Sequence, residues 1–505
     1  MQIMPFVSWD LIHTGACQWT EEGRCVSCDH PHGVELRVEP AGKSGPILEA
    51  DRPWEQGADP GWVQVMEDEG RYRMWYGIGT EGEPDAICYA ESEDGLAWTK
   101  PELGLFEVGG SSANNVVWQG RGAVHFSVFK DPTAPPEARY RCWTFKGWFE
   151  GEPDQELDGE EGMRRLKAQN ASEPSEDALP VKLRGTMYGM NSPDGLRWTA
   201  IKEPILEGWH DTHDICTYDE GREKYVGYFR GFYAGRRAIA YAETDDFEHW
   251  PAPEVIHHQL IQDPPGDSLY SNCYTRYPDV PGVHLMFPAV YHQDDDSVDG
   301  QLAVSMDGRN WTRHTHRAIV ERGLPEERDA ARVYPEPALL RFRSDGKFRL
   351  PLRCSPRFHD QGPGSELAAG GGYVGWAEWE EDRLAGIHAA SEGAFMVTRP
   401  LELGERMLAN FRTSHDGWVR FELTDRIAWP TEPWPGLEGY RFEDMVPLTG
   451  DRTHCPIAWG EKADLSELKG RNVYVRMQLY RATLFSVTAY GADDAAVRDD
   501  PRYPL

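Results

Sequence analysis

Four ionisable side chains fall within five residues at His210-Asp211-Thr212-His213-Asp214. Carboxylates this close together can divide the work of a base and a charge stabiliser. Two imidazoles with two carboxylates can equally hold a divalent metal, and Asp and Thr in a polar loop can cap their own backbone. The residues alone leave all three readings open. A further carboxylate stands out at Glu336, in Val333-Tyr334-Pro335-Glu336-Pro337, where flanking prolines stiffen the backbone. Near the N-terminus, Cys17, Cys25, Cys28, His30 and His32 have the ligand types and close spacing of a zinc site. They lack the second, widely spaced pair of a zinc finger. Substrate binding is the other use open to His30 and His32.

The elements that must position these groups read as strands. Ser-x-Asp-Gly-x-x-Trp occurs at Ser92–Trp98, Ser192–Trp198 and Ser305–Trp311, with a degenerate copy at Thr244–Trp250. Asp accepts backbone N–H groups two residues on, Gly supplies positive φ, and Trp covers the hairpin. A turn unit repeated at tens of residues signals a repeat architecture. Paired aromatic runs recur five times, beginning at Gly61, His125, Asp214, Asn272 and Glu336. With Gly and Pro spread throughout and no long amphipathic helix, the expectation is an all-β protein. A five-bladed β-propeller would span residues 51–390, with an acidic insertion at 150–181. Alternating runs after it predict a jelly-roll-like β-sandwich at 391–491, then a tail at 492–505. Residues 1–50 would pack on the propeller or the sandwich.

Across 505 residues, 52 basic and 84 acidic side chains give a net charge of −32. That charge argues against nucleic acid and anionic membranes as partners. A polyanionic substrate would need local Arg clusters to override the field. No run approaches the ~20 apolar residues of a membrane span. The opening residues lack the basic and apolar regions of a signal peptide. Nine cysteines, mostly in strand-like runs, fit reduced thiols and a cytoplasmic location.

Propeller first, sandwich second, with the Asp-Gly-Trp turn inside the blades: this combination resembles the five-bladed glycoside hydrolases, including families 32, 43, 68 and 117. The resemblance covers roughly residues 45–490. It implies three acidic residues at the mouth of a central channel, serving as nucleophile or base, stabiliser and acid. Asp59, in Gly57-Ala58-Asp59-Pro60-Gly61, is similar to the family's Asn-Asp-Pro-Asn-Gly in its Asp-Pro and nearby Gly. Asp51 is a second first-blade candidate. Lys130-Asp131-Pro132 looks like the family's Arg-Asp-Pro, but the register puts Asp131 in a turn and His125 at the blade start. The family's third-blade Glu is missing. Glu336, the only Glu at an inner-strand start, takes the role of acid, with Asp211 and Asp214 as stabiliser and base.

His125, His210, His213, Asp267, Tyr270, Asn272 and Tyr334 would bind sugar hydroxyls, and Trp62 and Phe126 would stack on a sugar face. The implied function is a glycoside hydrolase acting at the end of an oligosaccharide or glycan chain. It would need no cofactor, bind carbohydrate, and could form a homo-oligomer. One alternative is a binding propeller that has lost the triad. Another is a Ca- or Zn-dependent enzyme built on His125, His210, His213 and Asp214.

Overall fold

The structure, a computed structural model, describes residues 1–56, 58–79, 85–119, 126–149, 183–208, 210, 212–359, 370–390, 393–429, 434–494 and 503. The insertion expected at 150–181, and the candidates His125 and Asp211, lie outside them. Among the described residues every element longer than a 3₁₀ turn is a β-strand, so the protein is all-β.

Antiparallel sheets succeed one another along the chain in a propeller-like arrangement. The first holds Gly61–Asp68, Arg71–Ile78, Ala86–Ser92 and Val116–Gln119. The second is built on Tyr140–Phe149 and Leu183–Ser192, and the third on Ile215–Asp219, Lys224–Tyr233, Arg236–Thr244 and Glu254–His257. Tight hairpins set their registers. Glu69-Gly70 and Ala234-Gly235 all have positive φ, as turns that match strand twist require.

The last two repeats depart from separate four-stranded sheets. An interruption at Asn272-Cys273, where Cys273 has φ 45°, splits one inner strand into Asp267–Ser271 and Tyr274–Arg276. The second piece pairs in a three-stranded sheet with His284–Met286 and Ala303–Ser305. The first belongs to an eight-stranded sheet that also contains Arg332–Pro335, Phe348–Ser355 and Tyr373–Trp379. The link between the two repeats is a parallel bridge from Val298 to Arg332.

Separate apolar cores lie between the first sheets, while the core of the last two repeats runs on into the C-terminal sheet. Trp376, Val374 and Phe342 of the last repeat pack with Val65, Met74 and Tyr76 of the first, so the series closes on itself. The repeated turn stitches these interfaces. Asp94 Oδ1 accepts from the N–H groups of Leu96 (2.8 Å) and Ala97 (2.9 Å), and Trp98 Nε1 donates to the Gly95 carbonyl at 3.0 Å. That carbonyl also accepts from Trp376 Nε1 of the neighbouring sheet at 3.0 Å. Trp75 Nε1 reaches Gly195 O at 2.7 Å, and the Tyr228 hydroxyl reaches Gly308 O at 2.9 Å.

Beyond residue 390 two 19-residue strands, Arg406–Thr424 and Asn472–Tyr490, dominate a second eight-stranded sheet. The N-terminal segment enters both parts of the molecule. Gln2–Pro5 pairs with Asn472–Tyr490, while Gly42–Lys43 adds an outer strand to Tyr373–Trp379.

Candidate active site

Glu336 follows the strand Arg332–Pro335, and its N–H donates to Pro351 O at 2.9 Å. Its side chain is buried, and Oε2 lies 2.7 Å from His213 Nδ1. Arg353 Nε approaches the other oxygen, Oε1, at 3.5 Å. The Arg353 guanidinium is itself held between two rings, 4.4 Å from the Trp62 centroid and 4.1 Å from that of Tyr334. Such stacking fixes a flexible cation in one place. Gly61 makes room for it, because a Cβ there would sit 2.7 Å from Arg353 Cδ. Trp62 has φ 52°, at a register shift in its strand. A bulky residue rarely adopts that conformation, and local strain of this kind clusters at functional sites. The half-buried Trp62 ring meets His213 edge-on at 6.0 Å.

Two buried nitrogens in this cluster, Arg353 Nε and one on His213, lack a hydrogen-bond partner among the described residues. His213 is 2% exposed and Nδ1 faces Glu336, but among the described residues the buried Nε2 has no hydrogen-bond partner. A carboxylate that orients an imidazole and leaves its far nitrogen open is the arrangement of a group prepared to exchange a proton.

Asp59 is the more accessible carboxylate. Its Oδ1 accepts from Gly372 N–H at 2.6 Å and its Oδ2 from Ser355 Oγ at 3.0 Å. Arg332 and Arg357 flank it at 3.7 and 3.8 Å. Asp51, by contrast, pairs with Lys100 at 2.7 Å. Asp214 accepts the Arg230 N–H at 2.8 Å and lies 3.2 Å from His210 Nδ1. Burial raises its pKa, opposed by the nearby His210 ring. Asp214 thus braces the backbone of the neighbouring strand at Arg230.

The remaining candidates divide. Tyr334 hydrogen-bonds to His359 Nδ1 at 2.7 Å, and Tyr270 packs against Tyr334 and His359 at centroid distances of 5.6 and 4.6 Å. Asp267 is tied to His292 at 2.8 Å. The Asn272 amide nitrogen donates to Tyr228 O at 3.1 Å and its oxygen accepts from Tyr274 N–H at 3.0 Å, so it holds the strand interruption. Phe126 is fully buried, edge-on to Trp198 at 4.9 Å, in core rather than on a sugar-stacking face. Asp131 is engaged by Arg141 (2.9 Å), the Tyr225 hydroxyl (2.7 Å) and Thr133 N–H (2.8 Å), which are contacts of a structural turn.

Strand pairing divides the N-terminal cysteines between two faces. Ala16–Trp19 pairs with Cys25–Cys28 so that Cys17 and Cys25 share one face and Cys28 takes the other. Cys28 Sγ donates to Ala428 O at 2.7 Å, and His30 is exposed. Among the described residues no group of three His, Cys, Asp or Glu is placed to hold a metal ion, whether there or around His210 and His213.

The arginines and His359 are the residues that sequence reading missed. Arg230, Arg237, Arg332 and Arg353 each sit in a strand, and the available signal was their basic charge in so acidic a chain.

No protein-family model matches the chain. An uncharacterized protein of Mycobacterium tuberculosis (strain ATCC 25618 / H37Rv) is 28% identical over 151 residues, which is 28% of this chain and 49% of that protein. The chain thus spans about half the length of the curated relatives it matches. Similar solved structures include a glycoside hydrolase, 12% identical with a TM-score of 0.41, covering 68% of this chain and 94% of that one. An α-L-arabinofuranosidase from Lactobacillus brevis is 10% identical, covering 67% and 97%, with a TM-score of 0.41. The family 32 β-fructofuranosidase of Bombyx mori is 10% identical, covering 87% and 95%, with a TM-score of 0.37. No described helix is long and apolar enough to cross a membrane.

Proposed function

We propose that this chain is a carbohydrate-active enzyme, a glycoside hydrolase acting at a glycan chain end, on a five-bladed β-propeller followed by a β-sandwich. The five-unit count is supported by the five recurring sequence units and by the packing of the last sheet on the first. The observation that carries the catalytic reading is the Glu336–His213 pair, buried, joined at 2.7 Å, with His213 Nε2 unpartnered among the described residues. Because the two side chains share a hydrogen bond, the Glu336–His213 pair acts as one unit and supplies the transferable proton. As the glycosidic C–O bond breaks, that proton passes to the leaving oxygen. Asp59 acts on the other side, either taking a proton from attacking water or bonding to the anomeric carbon. Trp62 offers a half-buried ring for a sugar face.

Glu336→Gln should lower kcat by about 10²–10⁴-fold with little change in thermal midpoint, measured on the aryl glycoside or oligosaccharide that a screen identifies. His213→Gln should lower it less. Unchanged turnover in E336Q would remove Glu336 from the chemistry. A second reading, a non-hydrolytic carbohydrate-binding propeller, is favoured by one observation: Asp59 and Glu336 both already face arginines. Sugar binding without turnover in the wild-type protein would select it.

A further inference from the structure

The series of sheets closes where Gly61–Asp68 of the first meets Phe348–Ser355 of the last, and Arg353 crosses that seam. On its own strand Arg353 lies directly opposite Tyr334 in the antiparallel register, which puts both side chains on one face. Its guanidinium is 4.1 Å from the Tyr334 centroid and 4.4 Å from that of Trp62 across the seam. The Tyr334 hydroxyl is anchored in turn at His359 Nδ1, 2.7 Å away. Burial first, then Arg332, Arg237, Arg353 and Arg230, push the His359 pKa down to about 3, so that ring stays neutral at ordinary pH.

The stack holds its members against a cost. Trp62 has φ 52°, and a bulky side chain keeps so unfavourable a backbone only where its surroundings dictate it. Arg353 covers the Trp62 ring, and Gly61 beside it lacks the Cβ that would sit 2.7 Å from Arg353 Cδ. The same cation faces Glu336: its buried Nε lies 3.5 Å from Oε1 and has no hydrogen-bond partner among the described residues. One guanidinium therefore lies against both the ring offered to a sugar and the carboxylate of the proton-donating pair. Lysine is no equivalent, because an ammonium is a flexible point charge, whereas a planar guanidinium stacks between two rings.

We propose that Arg353 is a positioning residue for glycoside cleavage, fixing the separation of the Trp62 ring and the Glu336–His213 pair so that a sugar seated on the ring presents its glycosidic oxygen to the proton. The inference rests on the hydrolase reading of the same site. Arg353 itself touches no reacting atom. It acts through the two groups it lies between, and through the closure of the last sheet on the first.

Steady-state kinetics on the 4-nitrophenyl glycoside or oligosaccharide that the wild-type protein cleaves tests it. Arg353→Lys keeps the charge but loses the double stack, and should lower kcat by about 10–100-fold while KM changes less than about threefold, since misplacement by about 1 Å is enough for such a loss. Free guanidinium, well below concentrations that unfold the protein, should restore part of the kcat lost in Arg353→Ala, a rescue that a merely structural residue would not show. Should the Arg353 variants not fold, Gly61→Ala serves: it keeps every charged group, pushes the guanidinium aside, and should give the same kcat loss in milder form. Wild-type kcat in both R353K and G61A sinks the positioning role and leaves the hydrolase standing. Failure of the wild-type protein to cleave any glycoside sinks the hydrolase reading, and the positioning role with it.

Discussion

Single side chains set the pH response of this molecule. His292 lies between two carboxylates, 2.8 Å from Asp267 and 3.0 Å from Asp299. Those hydrogen bonds, Asp267 first, raise its pKa from 6.5 to about 10 against partial burial. A base with a raised folded pKa stabilises fully below its unfolded pKa and loses that contribution as pH climbs to the folded one. Stability should therefore fall between pH 6.5 and 10, and His292→Gln should flatten that slope while costing stability below pH 6.5. Urea midpoints across a pH series check it, and parallel slopes for the two proteins would dismiss His292 as the source. His359 acts in the opposite window. Its pKa of about 3 means the unfolded chain takes a proton first as pH falls from 6.5, so His359→Gln should reduce acid sensitivity there. Nuclear magnetic resonance of the ring should find it neutral at pH 5, and a protonated ring would contradict the arginine-rich setting. Glu336 could be singled out from its prolines and its place beside a strand. Its partner could not, because His213 lies 123 residues away and strand alternation gives a face, not a neighbour. Asn272 was ambiguous for a related reason: a side chain that suits a sugar hydroxyl suits two backbone groups equally well.

Among the elements, the Asp-Gly-Trp turn was the most readable in sequence, since its own hydrogen bonds span only two or three residues. Its role between sheets was hidden, because Trp376 approaches Gly95 from 281 residues away. Gly95 answers two demands at once: φ is 75°, and a Cβ would sit 2.5 Å from Phe342 Cε2. Gly95→Ala should cost about 1–3 kcal/mol beyond the backbone strain itself. Gly110→Ala, at φ 79° with nothing near the added methyl, isolates that strain at about 1 kcal/mol. Equal urea midpoints for the two variants would mean the turn does not hold the neighbouring sheet. The broken strand at Asn272-Cys273 left no comparable signal, since neither residue type demands a positive φ.

At the scale of the whole chain, the all-β character was plain from alternating runs and turn residues. The merging of the last two repeats into shared sheets was not, because one bridge from Val298 to Arg332 decides it. The N-terminal segment holds the assembly together by pairing at two distant places. Removing residues 1–43 should lower the thermal midpoint and promote self-association, since it uncovers an edge along Tyr373–Trp379. Calorimetry with light scattering reads both effects, and an unchanged monomer would show the added strand to be dispensable.

That pairing also has a schedule. Gln2 lies opposite Ala489 and Pro5 opposite Ser486, so the ribosome releases one side of the ladder long before the other exists. At roughly 5–20 residues per second, the early strand waits about half a minute to a minute and a half for its mate. The sheets from Gly61 onward can form in that interval, but the molecule is finished only after synthesis has passed Tyr490. An unpaired strand held open this long is a ready target for a chaperone and a hazard in rapid overexpression, which favours slow, cool production of the protein.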